Sequence, residues 1–221
     1  MKKPVVDYRD LRISTICQSQ YAHLLLLLGW VGYLLSYVLT EQLIPPEGCY
    51  PVRCFLDDWI PFCEIFVIPY VIWYLLIIGT LLYFLLYDVD SFKKLQIYFM
   101  ICQIISTVIF ITFPTRQDLR PEVFPRDNIF SRLVGFLYAA DTNTGVCPSL
   151  HVALSVGIAS VCRKANSVSQ GCKLFICVTA VLICLSVVFI KQHSAVDIVA
   201  AMPICAIAEL LVFRVFFRKQ A

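Results

Sequence analysis

The feature that most constrains this chain is a series of charge-free stretches, each near the length that crosses a bilayer. Tyr21 to Thr40, Ile65 to Tyr87 and Leu95 to Thr115 contain no Asp, Glu, Lys or Arg. Thr142 to Cys162 is uncharged and interrupted only by His151, and Leu174 to Ile190 is uncharged throughout. A sixth stretch runs from His193 to Phe213 with Asp197 and Glu209 inside it. A helix of about 20 apolar residues spans about 30 Å of hydrocarbon, so the pattern predicts six spanning helices. The composition agrees: 60% of the residues are hydrophobic and 15% charged. Soluble domains hold about 45–50% and about 25%. An ordinary soluble globule, a disordered chain and a basic nucleic-acid-binding protein are excluded. The net charge of +3 names no acidic partner.

The connections set the orientation. Lys2, Lys3, Arg9 and Arg12 precede the first stretch, and Lys93 and Lys94 lie in the second connection. Arg163, Lys164 and Lys173 lie in the fourth, and Arg214, Arg218 and Lys219 in the tail. These segments hold twelve of the eighteen basic residues and, with six spans, share one side. The positive-inside rule makes that side cytoplasmic and puts both termini there. The first stretch is long, lacks a small-residue cleavage site and runs on into Glu41-Gln42, so it reads as a retained span. No repeat or low-complexity linker divides the 221 residues. The expectation is an all-α, polytopic, six-helix membrane domain over residues 1–221, with extracytoplasmic loops at 41–64 and 116–141. The first loop mixes Phe55 and Trp59 with Asp57 and Asp58; an interfacial amphipathic segment and an irregular loop fit equally. The second carries four arginines on the side where the rule expects few.

Seven of the eleven cysteines fall in or near spans or on the inner side, where a thiol behaves as a small hydrophobe. Cys49, Cys54, Cys63 and Cys147 fall outside. An oxidising exterior permits a disulfide among the first three, and their odd number selects no pair. No Cys or His spacing suggests a metal site.

Chemistry concentrates at two histidines. His151 stands in Cys147-Pro148-Ser149-Leu150-His151 at the outer end of the fourth stretch. His193 stands in Lys191-Gln192-His193-Ser194-Ala195-Val196-Asp197 at the outer end of the sixth. Both reach the same side at similar depth. His23, near the inner interface, reads as an interfacial polar residue. On a helix, positions i and i+4 share a face, so Asp197 can accept from one imidazole nitrogen of His193 and leave the other free to attack. A carboxylate inside a span is costly unless it has a partner, which makes Asp197 a functional candidate; a structural His–Asp pair that ties two helices is the other reading. Arg116, Arg120, Arg126 and Arg132 supply guanidinium forks that match phosphate oxygens. Arg116 and Arg120 are the better placed. Pro148 opens a helix, so Ser149 and nearby backbone N–H groups add donors at its positive end.

These residues carry a resemblance. The chain resembles the type-2 phosphatidic acid phosphatase superfamily of integral-membrane phosphatases and phosphotransferases. Its motifs are Lys-x6-Arg-Pro, Pro-Ser-Gly-His and Ser-Arg-x5-His-x3-Asp. The second reads here Pro148-Ser149-Leu150-His151, and the third Ser186-x6-His193-x3-Asp197. The first is reduced to Arg120-Pro121, with Phe113 in place of its Lys. Val187 stands where the third motif has Arg, and Lys191 or Arg116 is the candidate substitute. The Leu at the Gly position is also found in the branch that resembles sphingomyelin and inositol phosphorylceramide synthases.

The resemblance covers about the second half of the chain, with its motifs within 116–197. It implies a plasma-membrane enzyme with an extracytoplasmic site, a lipid phosphate or diphosphate as substrate, and no cofactor or metal. His193, oriented by Asp197, would form a phosphohistidine. His151 would protonate the leaving alkoxide and then activate water. Arg116, Arg120, Ser149 and Lys191 would hold the phosphoryl oxygens. One alternative is a phosphotransferase that passes the group to a second lipid alcohol. Another is a transporter or lipid-binding protein without catalysis, which the degraded first motif and Val187 favour. No protein partner is indicated.

Overall fold

A computed structural model describes residues 3–218. Lys2 and Lys219, two of the twelve basic residues above, lie outside them. The chain forms an all-α, largely hydrophobic bundle. In order come α1 (Leu28–Leu43), a single-turn α2 (Leu56–Trp59), α3 (Val67–Tyr87), α4 (Val89–Thr112), α5 (Ile129–Ala140), α6 (Leu150–Lys164), α7 (Gln170–Phe189) and α8 (Ala195–Leu210). A 3-10 turn, Ala22–Leu27, leads into α1, and a π turn, Leu211–Phe216, extends α8.

Among the described residues, five helices are long and apolar enough to cross a membrane: Ala22–Leu43, Glu64–Tyr87, Val89–Thr112, Gln170–Phe189 and Ala195–Phe216. The fourth expected span, Thr142 to Cys162, is shorter. α6 begins only at Leu150, and its 15 residues reach about 22 Å. The chain spends Thr142 to Ser149 on a turn instead. There Thr144 bridges to Arg116, and Gly145 takes a φ of +60°, a left-handed conformation that costs a glycine nothing. The segment 116–141, expected as a loop, contains α5. Asn128 caps it, its side chain accepting from the Phe130 and Ser131 N–H groups.

α6 is the centre of the bundle. It packs on α7, α4 and α8, and its residues Val152, Ala153, Leu154 and Ile158 are buried. The approach to α4 is close because residue 157 is glycine. A Cβ there would lie 2.5 Å from the ring of Tyr98, whose hydroxyl donates to the Cys205 carbonyl on α8. α1 stands at the edge and packs chiefly on α4. Most of its leucines are exposed, as on a helix solvated by lipid. In the first connection, Tyr50–Pro51 pairs in parallel with Thr115–Arg116. Phe55 and Trp59 face outward there while Asp57 is buried, the reverse of a water-soluble turn. All eleven cysteines are unpaired.

His23 is buried. The Tyr8 hydroxyl lies 2.8 Å from its Nε2, and the Phe92 ring meets it edge-on.

Candidate active site

The α7–α8 turn builds the first half of the site. The Val187 carbonyl accepts from the N–H groups of both Gln192 and His193 at 2.9 Å. Lys191 in this turn has a φ of +55°, unusual for a residue with a side chain. Ser194 caps α8, its Oγ accepting from the Val196 N–H, and Asp197 at the third helical position completes a capping box. Asp197 Oδ2 accepts from the Ser194 N–H at 3.0 Å and lies 3.0 Å from His193 Nδ1.

The expected His193–Asp197 pair is therefore formed, but not across a shared helix face. His193 precedes the cap, and the carboxylate reaches back over the first turn. A carboxylate only accepts, so in the neutral ring the proton sits on Nδ1 and Nε2 carries the lone pair. Asp197 is fully buried and His193 nearly so.

α6 supplies the second half. Ser149 is its N-cap residue, with a backbone N–H that donates to the Asp197 carbonyl at 3.2 Å. His151 follows in the first turn. Its ring stacks on Tyr70 at 4.4 Å, lies tilted against Trp73 at 4.1 Å, and faces the His193 ring edge-on at 5.9 Å between centroids. Both imidazoles line one small pocket of about 80 Å3, with Trp73, Tyr37, Gln192 and Asp141. Trp73 Nε1, His151 Nε2 and Gln192 Nε2, on residues that line the pocket, are buried without a hydrogen-bond partner among the described residues, and so are Arg120 Nε, Ser149 Oγ and Asp197 Oδ1 on residues beside the lining. Each such atom costs about 1–3 kcal/mol of stability, and a ligand's oxygens would satisfy the donors among them.

The cations expected to grip an anion are placed differently from one another. Arg120 lies beside the pocket, over the Tyr138 ring at 4.5 Å. It donates to the Tyr138, Asp141 and Thr142 carbonyls at the end of α5, and to Gln192 Oε1 at 2.7 Å. Burial pushes its pKa down, against the neighbouring Asp141 charge. Arg116 turns away, to Asp118 at 3.1 Å and the Pro46 carbonyl at 2.9 Å. Lys191 is buried against the first connection, where its Nζ donates to the Asp57 and Ile60 carbonyls. Burial lowers its pKa too. Arg126 and Arg132 pair with Glu64 and Asp127. Val187 is buried in the bundle, contributing only its carbonyl.

Sequence reasoning missed Asp57. Its Oδ2 accepts from Ser194 Oγ at 2.6 Å and from the Cys54 N–H at 2.8 Å, and its Oδ1 from the Ala195 N–H at 2.8 Å. Burial alone would raise its pKa. The hydrogen bonds from Ser194, Ala195 and Cys54 outweigh burial and hold the carboxyl below the usual carboxylate range. Asp57 thus fixes the cap from which Asp197 aims His193. Gln192 was missed as well, because nothing marks a lone glutamine beside a histidine.

A groove of about 650 Å3 opens from the same place. It runs between α1 and α3, from Tyr70 and His151 at one end to Leu85 and Phe92 at the other. That is about 22 Å along α3, through leucine, isoleucine and aromatic side chains. Trp73, Tyr33, Tyr37, Asp141 and His151 belong to both the groove and the pocket. Among the described residues, no three His, Cys, Asp or Glu side chains form a metal-ligand group. Comparison of the chain with protein-family models, curated proteins and solved structures returns no match.

Proposed function

We propose that this chain is an integral-membrane lipid phosphate or diphosphate phosphatase, akin to the type-2 phosphatidic acid phosphatases, acting through a phosphohistidine on His193. One observation carries the reading. An imidazole aimed by a buried carboxylate faces a second imidazole across a small pocket at the mouth of a long apolar groove. Such a groove suits a hydrocarbon chain, and such a pocket suits a single phosphoryl group.

In the reaction, His193 Nε2 attacks phosphorus and the N–P bond forms. The bond from phosphorus to the lipid oxygen breaks, and His151, protonated beside the bound phosphate anion, gives that oxygen its proton. Asp197 holds Nδ1–H and offsets the charge gained by the ring. Water then attacks the phosphohistidine, His151 takes its proton, and phosphate leaves with His193 restored. Ser149, the first N–H groups of α6, Gln192 and Arg120 Nε are the donors nearest the developing charge. Arg116 and Lys191 serve this reading indirectly, by fastening the first connection over the turn that carries His193.

The six-span topology belongs to the same proposal. His151 and His193 meet at one end of the bundle, so α6 and α7 form an antiparallel hairpin. If α7 crosses the bilayer, the chain from Thr142 through α6 crosses it in the opposite sense. The basic connections then lie inside with both termini, and the histidines outside.

The test is to offer purified protein in detergent, with a chelator present, a panel of phospholipids and polyprenyl diphosphates. Both phosphate release and headgroup transfer are measured. Release without transfer is the expected result, transfer to a lipid alcohol makes the protein a phosphotransferase, and neither leaves it a non-catalytic membrane protein.

A further inference from the structure

At the end of the bundle opposite the histidines, a second cavity of about 490 Å3 is lined by Lys94, Lys164, Phe213, Arg214, Phe217 and Arg218. No acid lines it. Its cations come from three parts of the chain: Lys94 from the first turns of α4, Lys164 from the last turn of α6, and the arginines from the π turn after α8 and the residues beyond it. Aromatic faces hold two of them. The Lys164 ammonium stands 4.3 Å from the Phe213 ring centre, and that of Lys94 5.5 Å from the Phe217 ring centre. Each lysine also has an acid partner outside the lining: Lys164 pairs with Glu209 at 2.6 Å, and Lys94 pairs with Asp90. Arg214 and Arg218 have no ion-pair partner among the described residues.

We propose that this cavity binds the phosphate headgroup of an anionic phospholipid in the inner leaflet. Two lysines neutralised by neighbouring acids leave the two arginines as the cavity's uncompensated charge, and guanidinium forks match phosphate oxygens. The surroundings favour a lipid over free phosphate. Val215 and Phe216, beside the arginines, are exposed apolar residues at the end of the last helix, a surface suited to an acyl chain. Basic pockets between spanning helices on the cytoplasmic side are a recurring form of anionic-lipid site. The bias of basic residues toward this side does not by itself make such a cavity. Arg163, one residue from Lys164, carries the same charge and is not part of the lining. The proposal rests on the orientation proposed above, not on the chemistry assigned to the histidines.

The experiment titrates headgroup-labelled phosphatidylglycerol into the full-length protein in phosphatidylcholine nanodiscs. Arg214→Gln/Arg218→Gln is expected to weaken binding roughly 30-fold, at about fivefold per charge. Arg163→Gln is expected to leave it within about twofold, and inorganic phosphate is expected not to compete. Equal losses in the double variant and Arg163→Gln would mean a diffuse basic surface and overturn the site. Undiminished binding in the double variant would overturn it as well, and competition by inorganic phosphate would overturn the lipid as its ligand. An unchanged melting temperature establishes that the variant is folded. Should it fail to fold, Arg218→Glu alone, at an exposed position, must still lose binding for the proposal to stand.

Discussion

The two ends of the bundle handle charge in opposite ways. At the histidine end, Asp57 and Asp197 are buried, and each accepts from fixed backbone and side-chain donors. At the other end the ionic groups sit at the surface: Lys164 with Glu209, Lys94 with Asp90, and Arg214 exposed. Surface pairs contribute about 0–1 kcal/mol each and tolerate rearrangement. A buried carboxylate is tolerated only where its hydrogen bonds are in place, and losing one partner costs about 3–5 kcal/mol. The first arrangement fixes its atoms in place. The second holds charge at the surface without fixing it.

That contrast breaks or sharpens with substitutions of decreasing effect. His193→Ala should remove phosphate release almost wholly, by about four orders of magnitude or more, while a surface change such as Arg163→Gln leaves it intact. Asp197→Asn should cost about three to four orders of magnitude in kcat by presenting an amide to Nδ1. Steady-state kinetics on both variants checks these, and near-normal turnover in either removes the proposed dyad.

Asp57→Ala should lose about one to two orders of magnitude in kcat with little change in KM, since the residue acts through the Ser194 cap. It should also lose about 3 kcal/mol of stability, because Ser194 Oγ and the Ala195 N–H are left unmatched. A pH series sharpens this. The folded pKa of Asp57 is depressed, so its contribution is complete above the ordinary carboxylate pKa and fades as pH falls through the lower folded value. In Asp57→Asn the acid limb of the melting-temperature profile should flatten. An acid limb identical to the parent's would separate Asp57 from the network.

Smaller effects lie between and beyond the two ends. Gly157→Ala puts a methyl group into the Tyr98 ring and should cost about 1–3 kcal/mol, measured by thermal unfolding in detergent. Arg132→Ala breaks an exposed pair with Asp127 and should change stability by less than about 1 kcal/mol and turnover by less than about twofold.

How much of this was readable in the sequence follows from the range of each interaction. The five long helices were legible because a charge-free run is local and a bilayer allows few alternatives. The shortening of α6 was not, since Thr142, Asn143, Thr144 and Gly145 are uncharged and pass as part of an apolar window. α5 was hidden by Arg132 in a segment read as a connection, although Asn128 and Ser131 were available as its cap. At the site, His193 and Asp197 were legible from a four-residue spacing, even though a cap and not a helix face joins them. Asp57 was not, because its contact with Ser194 spans 137 positions. The commitments of Arg116 and Lys191 to carbonyls of the first connection are equally remote in sequence, so their type suggested a phosphate grip that their contacts do not display.

The central claim is that His193 bonds to phosphorus and His151 moves the protons. It is tested most directly by incubating His151→Ala with a phosphate ester of a good leaving group, such as nitrophenyl phosphate, quenching, and mapping the phosphorylated peptide. That substrate needs little help from an acid, while dephosphorylation still needs His151 as base. The account predicts an acid-labile phosphoryl group accumulating on His193 and absent from His193→Ala. An adduct on any other residue, or release of nitrophenol at parental rate with His193 replaced, would contradict it.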